Sequence, residues 1–162
     1  MVCLLVATTG SVAPAAAQDS GGQRPIAEVV AILGFTNLGG DPALEWLDPG
    51  TVESVRTDLQ RLGFRVVASD AVQAVFADRG DPDDDPDRAA AQIGSALDAH
   101  WVIVGSYERL GSGLRLTARL YDTTADGEVS IVRSEGQWGT LFDLQDLIGE
   151  QLGARMRPGS RV

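Results

Sequence analysis

The sequence has no lysine and only one cysteine, and each scarcity excludes a class of protein. The single thiol is Cys3, so the rest of the chain contains no disulfide and no cysteine-based metal site. All thirteen basic residues are arginines, and with 23 acidic residues they give a formal net charge of −10. A surface of this sign repels the phosphates of nucleic acids, so we expect no nucleic-acid partner.

Motifs for catalysis and metal binding are equally scarce. His100 is the one histidine, and no motif supplies it with the nucleophile or carboxylate partner of a catalytic histidine or with the further ligands of a metal site. This favours a structural role for His100. The acidic stretch 81–87 resembles the start of a calcium loop, but Pro86 and Gln92 occupy the positions of its required Gly and Glu. Gly39-Gly40 follows an apolar run without the Lys or the glycine spacing of a phosphate loop. We therefore predict a protein that is not an enzyme and has no cofactor and no metal.

The first 17 residues have the pattern of a secretory signal peptide. The apolar run Val2–Ala7 leads to small residues ending at Ala15–Ala17, which is an A-x-A cleavage site. That run is too short to span a bilayer, and no transmembrane segment follows in the mature chain. Cys3 lacks the preceding residues of a lipobox.

We expect export to the periplasm or the outer membrane. Because no basic residue precedes the run, the alternative is a cytoplasmic protein with an Ala-rich tail.

The remaining chain has the length of one domain. A chain of roughly 145 residues buries about two thirds of its unfolded surface and needs no disulfide or metal to fold. We expect a flexible leader over 18–25 because it is polar and rich in Gly, a domain over 26–156, and a frayed tail over 157–162.

The first part of the domain predicts parallel strands. Val29–Phe35 is a continuous apolar run, typical of a strand buried on both faces. After a loop, Asp48-Pro49 has the pattern of a helix N-cap followed by proline at the first helical position. Gly63 ends this helix, and Phe64–Ala68 forms a second strand. Strand, helix and strand in this order predict a parallel pair.

The second part predicts helices followed by an antiparallel meander. Ser69 and Pro86 each begin a helix, and Trp101 begins a third strand. Residues 114–121 then alternate between apolar and polar, as in a strand with one solvent-exposed face, and 129–138 gives a fifth strand. Thr140 begins the last helix. The predicted fold is α/β, a mixed sheet of about five strands in the order β-α-β-α-α-β-β-β-α, with helices packed on it.

Three stretches, in this order, resemble the FlgO-like domain and the related TolB amino-terminal domain. They are Val30–Pro42 (VAILGFTNLGGDP), Trp101–Asp122 (WVIVGSYERLGSGLRLTARLYD) and the segment around Asp143 (LFDLQD). The resemblance extends distantly to the CsgG-type proteins of curli transport. The chain departs from the family pattern at Gly34, where proline is usual, and at residues 48–50.

The resemblance implies a binding or assembly module of the bacterial cell envelope, with other envelope proteins or further copies of itself as partners. Ligands of open α/β sheets gather beyond the carboxyl ends of parallel strands. We therefore expect the contact surface in the loop after the first strand, with the candidate residues Asn37, Gly39, Gly40, Asp41 and Trp46. The alternative is a carrier or sensor that binds a small ligand with the same loop.

Overall fold

A computed structural model describes residues 28–79, 86–124 and 128–157 of the chain. The predicted signal peptide, the leader, most of the acidic stretch 81–87 and the end of the tail lie outside these ranges. The strands are β1 (Val29–Asn37), β2 (Arg65–Val66), β3 (Trp101–Leu110), β4 (Gly113–Asp122) and β5 (Glu128–Gln137). The helices are α1 (Leu47–Arg61), α2 (Ser69–Arg79), α3 (Pro86–Ala96) and α4 (Leu141–Met156).

The five strands form one mixed sheet in the order β2-β1-β3-β4-β5. β1 pairs in parallel with β2 and β3, whereas β3, β4 and β5 pair antiparallel in succession. The predicted mixed fold, its element order and its antiparallel meander are confirmed.

Helices cover both faces of the β1–β3 half of the sheet. On one face α1 and α4 enclose the larger core, which includes Val30 and Ile32 of β1. On the other face a smaller cluster includes Val29 and Ala31 of β1 and Ala90 of α3. Successive side chains of a strand point to opposite faces, so β1 is buried on both, as its continuous apolar run predicts.

Close contact between α1 and α4 depends on two glycines, Gly149 and Gly153, which no sequence pattern indicates. A Cβ added at Gly149 would lie 2.8 Å from the side chain of Asp58, and one at Gly153 would lie 2.3 Å from Leu62. The glycines therefore allow α1 to approach α4 more closely than larger residues would. Leu62 is the C-cap residue of α1 and is 36% exposed.

Several predicted helix and strand ends were wrong. α1 begins at Leu47, and Asp48 is a residue of its first turn rather than its N-cap. Thr140 does occupy the N-cap position of α4, as predicted, but its hydroxyl donates to the carbonyl of Gln137 in the preceding 3-10 turn instead of capping the helix. β2 has two residues instead of the five predicted. β1 continues to Asn37, two residues beyond its predicted end.

Candidate functional site

The loop after β1 is held by hydrogen bonds from its own side chains. The amide Nδ2 of Asn37 donates to the carbonyl of Asp41 at 2.8 Å, and Oδ1 of Asp41 accepts from the backbone N–H of Ala43 at 3.0 Å. Gly40 has φ +62°, a conformation that side chains disfavour, whereas Gly39 has no positive φ. Asn37, Gly40 and Asp41 thus shape the turn, and Trp46 follows it with 57% of its surface exposed.

The same loop is fastened to β3. The backbone N–H of Leu38 donates to the carbonyl of Tyr107 at 2.9 Å, and the buried hydroxyl of Tyr107 donates to the carbonyl of Leu44 at 2.9 Å. Burial, followed by the charges of Asp48 and Glu45, raises the pKa of Tyr107 above its usual 10.0. The hydroxyl therefore keeps its proton and remains a donor at physiological pH.

A bulge in β1 sets the start of α1. Gly34 has φ +119°, and the register between β1 and β3 shifts between Ile32 and Phe35. The carboxylate Oδ1 of Asp48 accepts the backbone N–H of Phe35 at 2.7 Å, which satisfies a donor that the bulge leaves without a strand partner. Neither proline nor most other residues with a side chain readily adopt this φ, so the bulge favours glycine at position 34.

Large apolar side chains are exposed at the end of the sheet where β1 and β3 finish. Leu38 is 62%, Trp46 57%, Leu110 40% and Phe142 74% exposed. Leu38 follows β1, Trp46 precedes α1, Leu110 ends β3 and Phe142 lies in the first turn of α4. We call these four residues the apolar end. Phe142, Leu38 and Trp46 are the three most exposed large apolar side chains in the described part of the chain.

Arg109 connects the elements beside the apolar end. Its guanidinium lies 3.6 Å from the carboxylate of Asp41 and 5.9 Å from the ring centre of Trp138. The first contact joins β3 to the loop after β1, and the second joins β3 to the turn that precedes α4. Both contacts are partly solvent-exposed, so each contributes little stability, but together they orient the surrounding loops.

A polar network around the buried Gln145 joins the N-terminal halves of α1 and α4. Gln145 is 2% exposed; its Nε2 donates to Oγ1 of Thr51 at 2.9 Å, and its Oε1 accepts from Oγ of Ser54 at 3.1 Å. A buried amide whose groups are paired stabilises one relative position of two elements. The network therefore fixes the spacing between α1, which follows Trp46, and α4, which carries Phe142.

A cleft of about 250 Å³ lies beside the bulge of β1 rather than at the loop. Its apolar lining comes from Ile32, Leu33, Val52 and Val72, and its polar lining includes Asp48, Glu53, Ser69 and Gln73. None of the five candidate residues lines it.

A second polar feature is an acidic cluster between α1 and α4. The side chain of Asp58 is 13% exposed and shares a cleft with Asp146 and Glu150. Burial raises the pKa of Asp58 above its usual 3.8, and Asp146 and Glu150 raise it further, while Arg61 opposes the change. Oδ2 of Asp58 has no hydrogen-bond partner among the described residues.

Neither a metal centre nor a membrane span is found over 28–79, 86–124 and 128–157. No group of three His, Cys, Asp or Glu side chains there could hold an ion. His100 is exposed, and its backbone N–H donates to the carbonyl of Val29. Within these same ranges, no helix has the length and apolar character needed to cross a bilayer.

The sequence predicts a contact surface in the loop after β1 but does not indicate the residues that surround it. Leu110 and Phe142 belong to segments far from this loop in the chain, and only the pairing of β3, β4 and β5 places them at the same end. The sequence offers only weak indications of them: Leu110 is an apolar residue beside a predicted turn, and Phe142 is an apolar residue at the start of a predicted helix. Arg109 gave no signal at all.

Comparisons with known proteins show the fold. No family model matches the chain. "Putative adenylate cyclase 3" of Rhizobium meliloti (strain 1021) is 28% identical over 125 residues, which are 76% of this chain but 20% of that protein. The chain thus spans about a fifth of the length of this curated relative.

Two solved structures resemble the chain over most of its length. The LpoB C-terminal domain from Salmonella enterica is 17% identical with a TM-score of 0.56, covering 68% of this chain and 82% of that domain. Lipoprotein GNA1162 from Neisseria meningitidis is 16% identical with a TM-score of 0.58, and the match covers 80% of this chain and 99% of that protein. At such identities the likeness is one of fold alone.

Proposed function

We propose that the chain is a non-enzymatic binding or assembly module of the bacterial cell envelope, and that the apolar end is its contact surface. The observation that carries this proposal is the exposure of Phe142, Leu38 and Trp46 at one end of the sheet. Single exposed apolar residues are common on soluble proteins, but apolar residues gathered from several elements mark interaction sites.

The apolar end suits a protein partner better than a small molecule. Aromatic residues are enriched at the centres of protein interfaces, and Trp46 and Phe142 supply two of them. The exposed carboxylates of Glu45 and Asp143 lie next to them in the chain. We infer a partner surface with apolar side chains flanked by Arg or Lys, because opposite charges at the margin orient the encounter.

The rigid support of this surface fits a preformed interface. Leu38 is anchored through the hydrogen bond to Tyr107, and α1 and α4 are joined through Gln145. A surface that is ordered before binding loses less conformational entropy when the complex forms.

Comparative capture tests the contact surface. The immobilised full chain is incubated with an envelope extract, alongside Phe142→Ala, Leu38→Ala and the control Ile131→Ala. Ile131 is 38% exposed on β5, away from the apolar end. We expect a specific protein that the native chain and the control retain and that both apolar-end variants lose by about tenfold or more. Equal retention by all four proteins would reject the apolar end as the contact surface.

Location in the envelope rests on the predicted signal peptide and on a likeness of fold to a protein named a lipoprotein. Mass spectrometry of the protein from its native host tests it. We expect a mature chain that begins at Gln18 and is recovered from the envelope fraction. Recovery of the intact chain from Met1 in the cytoplasm would refute export without affecting the binding surface.

A small-ligand carrier is the second candidate, and the cleft beside the bulge of β1 is the observation in its favour. Its volume of about 250 Å³ is below the range of roughly 300–1,000 Å³ that is usual for ligand sites. A native mass spectrum of the purified protein distinguishes the two candidates. A persistent small adduct would favour the carrier, and its absence together with specific protein capture would favour the binding module.

A further inference from the structure

The two edges of the sheet differ greatly in length. β2 forms one edge with two residues, whereas β5 forms the other with ten. Long edge strands offer unpaired backbone groups to other chains, and proteins usually protect them with charged side chains, Pro or a bulge. Residues 131–137 of β5 contain no Pro, their register with β4 is regular, and Arg133 and Glu135 are their only charged residues.

The direction of the backbone groups of β5 follows from the β3–β4 hairpin. Leu110 and Gly113 flank the two-residue turn of this hairpin and form the last residue pair of its ladder. The pair that closes a two-residue turn is hydrogen-bonded, so Gly113 and every second residue after it hydrogen-bond to β3. The residues of β4 between them bond to β5 through its even-numbered positions, 130–136. The N–H and C=O groups of Ile131, Arg133, Glu135 and Gln137 therefore point away from the sheet. Arg155 confirms this direction, because its guanidinium reaches the carbonyl of Ile131 at 3.0 Å, and this side chain must move aside when Ile131 pairs with a second strand.

The charged side chains on this edge are complementary to those on the same edge of a second copy. In an antiparallel pair of two β5 strands centred on Ser134, Arg133 of each strand lies opposite Glu135 of the other. Arg133 is exposed and has no ion-pair partner among the described residues, so such a pairing would give it one. Glu135 already binds Arg115 through Oε1 at 2.6 Å, which leaves its second oxygen for another donor.

The flank of α4 above this edge fits the same arrangement. Leu147, Gln151 and Arg155 are spaced four residues apart, so they share one side of the helix, and Arg155 places that side above the outer edge of β5. Leu147 is 42% exposed there. Since α4 packs on β4 and β5, pairing two β5 strands would bring two copies of α4 roughly 10 Å apart, which is a normal helix packing distance.

We propose that β5 is a homodimerisation edge, on which a second copy of this chain pairs antiparallel about Ser134 to form one continuous ten-stranded sheet. The two Arg133–Glu135 contacts set the register, and the two Leu147 side chains approach each other above it. This interface lies at the side of the sheet and leaves the apolar end of each copy free.

Charge reversal tests the proposal by sedimentation equilibrium of the full chain. Arg133→Glu and Glu135→Arg each place like charges opposite one another, so we expect each variant alone to dimerise at least about tenfold more weakly than the native chain. An equimolar mixture of the two variants restores both opposite-charge contacts and should form a heterodimer. Arg65→Glu makes the same charge change on β2 and should dimerise normally. A monomeric native chain, or variants that do not differ from it, would overturn the proposal.

A single engineered thiol tests the register independently of charge. Position 134 is the one position of β5 that would face itself across the proposed axis. Ser134 is 4% exposed beneath α4, where its hydroxyl donates to the carbonyl of Leu144 at 3.0 Å. In the proposed dimer two such side chains are neighbours, so Ser134→Cys in a Cys3→Ser background should form an intermolecular disulfide on mild oxidation. Arg133→Cys in the same background should form far less. Equal cross-linking at both positions, or none at 134 in a protein that is folded by circular dichroism, would overturn the pairing about Ser134.

Discussion

Replacing Trp46 with Ala should weaken partner capture while leaving the protein folded. Trp46 is 57% exposed, so less than half of its surface, on the order of 250 Å² for Trp, is withdrawn from water. At ~25 cal/mol per Å² this burial contributes at most ~2.7 kcal/mol. The retained Cβ and the partial compactness of the unfolded chain reduce the expected loss to about 1–2 kcal/mol.

Trp101 provides the matched comparison. It is 4% exposed, belongs to the larger core and donates its indole N–H to the carboxylate of Glu28. Trp101→Ala should therefore destabilise the fold by about 3–5 kcal/mol, the usual range for a core aromatic residue. The free energies of unfolding come from urea titrations of both variants, followed by capture experiments under conditions in which each is folded. If Trp46→Ala costs as much as Trp101→Ala, and loses binding only through unfolding, Trp46 is a core residue and the reasoning fails.

Three further predictions concern stability. Asp58 has a raised pKa in the folded state, so the stability that its protonation contributes is present below about pH 3.8 and is lost as the pH rises through the folded pKa. Asp58→Asn should therefore raise the urea midpoint of unfolding at neutral pH, where Asp146 and Glu150 repel the carboxylate. This increase in stability should become smaller in acid, and an increase that becomes larger in acid would contradict the reasoning. Gly105→Ala would place a Cβ 2.2 Å from the ring of Phe35, and urea unfolding should show a loss of roughly 1–3 kcal/mol; an unchanged midpoint would mean that the ring moves freely. Chelator and reductant should leave the melting temperature unchanged, and a fall of more than a few degrees with EDTA would reveal a metal site.

The sequence patterns predicted those features of the fold that depend on neighbouring residues. The continuous apolar run at Val29 predicted a strand buried on both faces, and the alternation at 114–121 predicted a strand of the meander. Gly63 ends α1 with φ +95°, the left-handed conformation expected of a glycine after a helix.

Features that depend on distant contacts were not predicted. Asp48 has the pattern of an N-cap, yet it accepts the N–H of Phe35 because the bulge at Gly34 brings that donor within reach. β2 is short because the chain turns into α2 after Val67, and no local pattern indicates where the pairing with β1 ends.

The candidate site shows the same division. The turn-forming roles of Asn37 and Asp41 follow from residue types that hydrogen-bond to nearby backbone. The gathering of Leu38, Leu110 and Phe142 does not, because it depends on strand order and on where each connection ends. Whether this loop takes part in binding stays a prediction.

Site-specific photo-cross-linking in the native host tests the central claim most directly. A photoreactive phenylalanine analogue replaces Phe142, which is 74% exposed, and in a separate strain it replaces Gln60, which is exposed near the other end of α1. We predict a discrete covalent adduct with one envelope protein from position 142 and none from position 60. No adduct from position 142, or the same adduct from both positions, would contradict the account of the apolar end as a specific contact surface.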